Sequence, residues 1–233
     1  MGIPDNYFVQ AITKTDYESW LLHKHYAHRI PNVMYAFGLY GTDKGVVGVC
    51  TLGLPPQENC LLMCGQEYKN NAIELNRLVK NDDLPPNTQS WFVSQCFKYL
   101  PKPRIILSYA DPNNGHQGYT YQALNFYYTG KGGAGNEYIY QEKQYTQRHI
   151  KDYWFAANKL KYDPKKSIKE NFLNAGGTII KMSPKNRYVY FLGSKLQKRD
   201  MLSKMKWPIL PYPKGQNKRY DASYQPEIQK LLF

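Results

Sequence analysis

Ser108, Asp111, His116 and Tyr121 fall in one short stretch, RIILSYADPNNGHQGYTYQALNFYY at 104–128. A hydroxyl, a carboxylate, an imidazole and a phenol together can accept, donate and hold protons around an amino group during group transfer. The apolar, β-branched run from Arg104 to Tyr109 reads as a strand that stops at Ala110-Asp111. A Pro/Asn/Gly loop follows, and then a tyrosine-rich amphipathic helix at about 118–129, closed by Gly130. A strand's carboxyl end beside a helix N-terminus opens onto a crevice where reactive groups collect. Each residue also has a plain structural use. Asp111 can cap the turn, Tyr121 can be a core aromatic, and a lone His116 more often serves structure than catalysis.

Other chemistry-bearing residues lie nearer the N-terminus. On a strand at 73–80, Ile73, Leu75, Arg77 and Val79 fall on one face and Glu74, Asn76 and Leu78 on the other. Glu74, Asn76 and Arg77 put charge and polarity into an otherwise apolar strand, which fits the wall of a site. His23, His25, Tyr26 and His28 could supply a base, but helical spacing does not place all three histidines on one side for a metal. Asn87-Thr88-Gln89-Ser90 begins a helix at about 88–100, where free N–H groups can hold phosphate oxygens. No glycine-rich loop accompanies it, and Asn87 or Thr88 serves equally as an N-cap. Cys50, Cys60, Cys64 and Cys96 complete no zinc set and read as buried thiols; no metal site is expected.

The elements that must position these groups follow from periodicity. A helical segment at 15–30 ends at Pro31. Tyr35–Tyr40 and Val46–Leu52 form a hairpin around GTDKG, and a loop begins at Pro55-Pro56. After the helix at 88–100 and the strand at 104–109 come a loop at 131–136, an unpatterned stretch at 137–165 and a short helix at 167–173. A second hairpin, 178–182 with 187–192, and a helix at about 195–205 end the patterned part. We therefore expect one α+β domain, a mixed central sheet flanked by helices. Its core spans about 10–130 and 177–193, with an insertion at about 131–176 and a basic tail at about 194–233. The element order is that of the GNAT acyltransferase fold. There, strands matching 73–80 and 104–109 splay apart and the helix at 88–100 receives a pyrophosphate.

Charge narrows the function. The net +13 arises wholly from residues 141–233, with 20 Lys+Arg against 7 Asp+Glu, whereas residues 1–140 are neutral. A one-sided positive field attracts a polyanion by counterion release. Aromatic rings such as Tyr153, Trp154, Tyr188 and Trp207 lie among these charges and could stack on bases. Lys185, Arg187, Lys198 and Arg199 are the candidates for DNA contacts. No window approaches a membrane span, and the N-terminus lacks a secretory pattern, so a cytoplasmic protein is expected.

Several blocks together resemble the phage Mom family of DNA adenine-modification enzymes. They are HYAHR at 25–29, ELNRL at 74–78, LPKP at 100–103 with SYAD at 108–111, and GHQGYTYQALNFYYTG at 115–130. NRYVYFLG at 186–193, QKR at 197–199 and PYPK at 211–214 complete the set. The resemblance implies a GNAT-like transferase that converts adenine N6 in DNA to its carbamoylmethyl (acetamido) derivative, protecting phage DNA from host restriction. It carries functional importance onto His25, Tyr26, Arg77, Asp111 and Tyr121, and onto Ser90, Ser94 and Ser108. It suggests an acyl-CoA (acetyl-CoA) donor and an iron requirement. The partner would be double-stranded DNA with the target adenine flipped out, since N6 is paired inside a duplex. The competing reading is a GNAT-type N-acetyltransferase for a protein or small-molecule amine.

Overall fold

A computed structural model of the chain describes residues 6–42, 44–145 and 147–215. In chain order the elements are β1 (Tyr7–Ala11), α1 (Lys14–Ser19), β2 (Tyr35–Gly41), β3 (Gly45–Gly53), α2 (Glu58–Leu61) and β4 (Ala72–Lys80). Then follow α3 (Thr88–Cys96), β5 (Arg104–Ala110), α4 (Tyr119–Ala123), β6 (Tyr127–Lys131), β7 (Asn136–Tyr140) and β8 (Lys143–Tyr145). The last are α5 (Gln147–His149), α6 (Phe155–Ala157), α7 (Ile168–Asn174), β9 (Thr178–Lys181), β10 (Asn186–Leu192) and α8 (Lys195–Ser203). The chain forms two compact units, residues 1–130 with 186–233, and residues 131–185.

The larger unit is built on a mixed seven-stranded sheet in the order β1-β2-β3-β4-β5-β10-β6. All the described neighbouring pairs are antiparallel except β4 with β5. That parallel pair runs in register only from Ala72↔Ile105 to Leu75↔Ser108. Beyond this rung β4 continues to Lys80 on β3 alone, and β5 continues to Ala110 on β10 alone. The two strands therefore fork at their carboxyl ends. Alternation along β5 explains how both faces are filled. Ile106 and Ala110 join the core that includes Phe92 and Val93 of α3, whereas Ile105 and Leu107 join the core that includes Met201 of α8. A third cluster packs Tyr17, Trp20 and Leu21 against Val49 and Val79.

A bulge in β4 sets the phase above the fork. Thr51 faces Arg77 while Leu52 faces Leu75, so Asn76 is the extra residue. Its side chain is fully employed: Oδ1 accepts from the buried Thr51 hydroxyl at 2.7 Å and Nδ2 donates to the Asn32 carbonyl at 2.9 Å. These bonds tie the loop carrying His25 and Tyr26 to the sheet.

The smaller unit is a three-stranded sheet, β8-β7-β9, with α7 and the short helical segments between 147 and 157. Its own core holds Tyr138, Ile150, Trp154, Phe155 and Phe172.

Three expectations are corrected. The helix expected over 118–129 stops at Ala123, and Tyr127–Lys131 is a strand. Asn125 takes a left-handed backbone (φ 58°) that breaks the helix, and Tyr127 and Tyr128 go to the edge of the sheet beside β10. The hairpin expected at 178–192 does not form, because β9 pairs with β7 and β10 inserts between β5 and β6. The helical segment expected over 15–30 ends at Lys24, after a π-helical turn from Trp20. Edge strand β1 and helix α2 escaped the sequence reading, and so did β7, β8, α5 and α6 around the stretch at 137–165 read as unpatterned. All four cysteines are free and buried. Among the described residues, no helix is long and apolar enough to cross a membrane.

Replacing Asn76 with Ala removes the acceptor of a buried hydroxyl. We expect a loss of about 1–3 kcal/mol in urea unfolding. An unchanged midpoint would show that Thr51 finds another acceptor.

Candidate active site

At the fork, the Ser108 hydroxyl donates to the Leu75 carbonyl at 2.9 Å. Tyr121, one turn into α4, reaches the same place, with its phenol close to the Ser108 hydroxyl. Burial raises the Tyr121 phenol pKa; the nearby Ser108 hydroxyl opposes this in part, and Tyr26, Cys50 and Glu74 add to the rise. The phenol is thus protonated at neutral pH, a donor and a stacking surface rather than a base.

His25 and Tyr26 arrive on the loop that leaves the π-helical turn. Their rings stack with centroids 4.5 Å apart. His25 is buried, and its Nδ1 accepts from the Ala27 N–H at 3.1 Å, which puts the neutral ring's proton on Nε2. Tyr26 also lies 6.1 Å from the His116 ring. Asp111 is buried at the end of β5, with Oδ1 accepting from the Asn113 N–H at 3.1 Å and its carbonyl accepting from the His116 N–H at 3.0 Å. Burial depresses the His116 imidazole pKa, and the Asp111 charge pulls it back up only in part. Tyr26, Ser108, Asp111 and Tyr121 are therefore brought together, joined by His25 and His116. Arg77 stands at the bulge just above the fork, with Nη1 on the Asn76 carbonyl at 2.6 Å.

The loop 111–118 is held from behind by groups to which sequence reasoning gave no such role; Tyr188, read there as a ring that could stack on bases, is buried. Tyr188, fully buried on β10, donates to the Gln117 carbonyl at 2.5 Å and accepts from Gln122 Nε2 at 3.1 Å. Its ring lies 5.4 Å from that of Tyr121. A Cβ on Gly118 would come within 2.4 Å of the Tyr188 ring, and Gly118 also has φ +93°, so both space and backbone require glycine there. Asn186 Nδ2 donates to Gln117 Oε1 at 3.2 Å. A strap from Leu210 to Gly215 crosses β6 and α4. Leu210 N–H bonds the Tyr128 carbonyl, Tyr212 the Phe126 carbonyl, and Tyr119 the Gly215 carbonyl. Its only sequence signal was the PYPK block.

The remaining predicted residues are placed differently. Asn87 caps α3 through a left-handed backbone, with no side-chain bond to the helix. The Thr88 hydroxyl goes to the Pro85 carbonyl, that of Ser90 to Asn87 and that of Ser94 to Trp91, while Gln89 accepts from Thr120. These side chains turn to protein groups, so backbone N–H groups are what this helix end offers an anion. Arg187 lies 3.6 Å over the Trp207 ring and donates from Nε and Nη2 to Thr129, so its guanidinium is held within the unit. Lys198 sits over Tyr190, Arg199 is exposed, and Lys185 belongs to the smaller unit. Among the described residues, no group of three His, Cys, Asp or Glu side chains could hold a metal ion.

The Mom protein family matches this chain over residues 6–214, and the match takes in every side chain of the site. The chain belongs to the Mom protein family. It is also similar to the protein named "Methylcarbamoylase mom" of Escherichia phage Mu, at 27% identity over 198 residues, covering 82% of this chain and 77% of that protein. Membership in this family accounts for the resemblance carried by blocks as far apart as HYAHR and PYPK.

The depressed His116 has a consequence for stability. Above its ordinary value of 6.5 both folded and unfolded chains keep it neutral. As pH falls below that value the unfolded chain takes up the proton first, so stability declines toward acid. His116→Gln should lose less stability between pH 7 and 5 than the parent, measured by urea unfolding. Equal losses would mean that His116 is as easily protonated folded as unfolded.

Proposed function

We propose that this chain is a DNA-modification transferase that acts on the N6 amino group of adenine and leaves a carbamoylmethyl group there. Its role would be to shield phage DNA from host restriction in the cytoplasm of the infected cell. Family membership supports the enzyme class, as does the name of the phage Mu relative. The observation that carries the reading is the meeting of Tyr26, Asp111, His116 and Tyr121 where β4 and β5 fork.

The strand order and the single parallel pair that separates at its carboxyl end support a GNAT-like fold. The fork and the start of α3 are where an acyl-CoA donor would lie. Bound there with its pyrophosphate oxygens on backbone N–H groups of α3, such a donor would supply the transferred unit; a carbamoylmethyl product requires N6 to bond the methylene carbon of a –CH2–CO–NH2 unit as a leaving group departs, since attack on the acyl carbon would give an N6-acyl adenine. The described donor set does not fit an iron site.

Adenine N6 is a weak nucleophile because its lone pair is delocalised into the ring. An extruded adenine could stack on Tyr26, whose ring is already paired with His25. Asp111 would accept a hydrogen from the amino group. The neutral imidazole of His116 would take the proton released as N6 attacks. Tyr121, kept protonated by burial, would donate its one proton to the leaving or developing negative atom.

Nucleoside mass spectrometry of plasmid DNA from expressing bacteria tests this directly. Deoxyadenosine should gain the carbamoylmethyl mass. Tyr121→Phe and Asp111→Ala should each cut the product by about 100-fold or more while DNA binding persists. Unaltered deoxyadenosine from the parent chain, or full product from both variants, rules the assignment out.

A further inference from the structure

Residues 131–185 carry 11 Lys+Arg against 5 Asp+Glu, whereas residues 1–130 are balanced at 10 each. Much of this charge is gathered in NKLKYDPKKSIK at 158–169, which holds five lysines and one carboxylate. That carboxylate, Asp163, pairs with Lys166 at 3.9 Å. Lys159, Lys161, Lys165 and Lys169 are exposed, and none has a carboxylate partner among the described residues. Like charges this close repel one another, so the segment would not keep a compact shape by itself.

It is shaped from within instead. Asn171 is buried, and its side chain makes four bonds to the segment's backbone. Oδ1 accepts from the Asp163 N–H at 2.8 Å, and Nδ2 donates to the carbonyls of Asp163, Lys166 and Ser167 at 2.9, 3.2 and 3.1 Å. Tyr162 packs on Phe155 with centroids 5.2 Å apart yet stays 48% exposed. The unit thus presents uncompensated lysines and one seated phenol on a backbone fixed in advance.

We infer that this lysine-rich surface of the smaller unit binds the phosphodiester backbone of duplex DNA; the inference rests on the DNA-directed function proposed above and adds the surface that grips the duplex. Lysine ammonium groups meet single phosphates as point charges, and a preformed display lowers the ordering cost of binding. A bilayer is a poorer match, because the segment exposes no large aliphatic side chain to insert: Leu160 and Ile168 are half-buried.

The test uses the full chain and a fluorescent 30-bp duplex in a salt series, read by anisotropy. Changing Lys159, Lys161, Lys165 and Lys169 together to Gln should weaken binding at least about ten-fold at 150 mM salt. The slope of log K against log salt should fall by about 0.9 for each phosphate no longer neutralised, or roughly 3 to 4 in all. The corresponding Lys→Arg variant should bind like the parent, since it keeps the charge. An unchanged affinity and slope in the Gln variant overturns the inference. So does weaker binding of that variant to anionic vesicles or an RNA hairpin but not to the duplex. Nucleoside mass spectrometry of the same proteins separates the two ideas. Modified deoxyadenosine with lysine-independent binding leaves the enzymatic reading standing, and absence of product from the parent removes that reading first.

Discussion

The last rung between β4 and β5, where the Ser108 hydroxyl meets the Leu75 carbonyl, is the constraint on which the site depends. Below it, two parallel strands share a ladder. Above it, each keeps only its outer neighbour, and the backbone on the inner side faces a gap. A gap of this kind is stable only if something else satisfies the freed groups. The hydroxyl of Ser108 closes the ladder, Tyr121 covers the hydroxyl, and the loop from Asp111 to Gly118 leaves directly above. A site at this point is therefore bounded by rigid strands on two sides and by a short helix on the third.

Burial then assigns the proton chemistry. Tyr121 and Tyr188 are both held protonated because a phenolate would be desolvated there, and Tyr188 is pushed up to about 12. His116 is pushed the other way by the same cause, toward the neutral ring. A buried phenol that keeps its proton and an imidazole that sheds one give a donor and an acceptor on either side of Tyr26, without strong ion pairing. The supports behind them are mostly bonds to main-chain carbonyls: Gln117, Phe126, Tyr128 and Gly215. Such bonds fix position without demanding charge.

The sequence made the strand at 104–109 and its polar exit legible, because a β-branched run ending just before Asp-Pro-Asn-Asn-Gly has few other readings. It was equally clear for the first hairpin, where GTDKG imposes the turn. It failed where long-range pairing decided the outcome. Tyr127 and Tyr128 suit a helix or a strand, and only the neighbouring β10 selects strand. The bulge at Asn76 was invisible too: strict alternation puts Arg77 with Leu75, but one extra residue shifts the phase of everything that follows. Of the candidate site, Asp111, Tyr121, Ser108 and Tyr26 were named from residue type and family resemblance together. The roles of Tyr188, Gln117 and the strap were missed because they come from contacts 66 to 96 positions away.

The position of β10 imposes an order on assembly. It lies between β5 and β6 yet is encoded after the whole smaller unit. During synthesis, β5 therefore waits for a neighbour that leaves the ribosome about 75 residues later, some seconds at ordinary elongation rates. Until then the chain can complete β1 through β4 from near-sequential contacts, but not the surface that holds Gln117 and Tyr121. The nascent protein accordingly passes through a stage with half its central layer formed and no working centre. Chain elongation itself times the onset of activity.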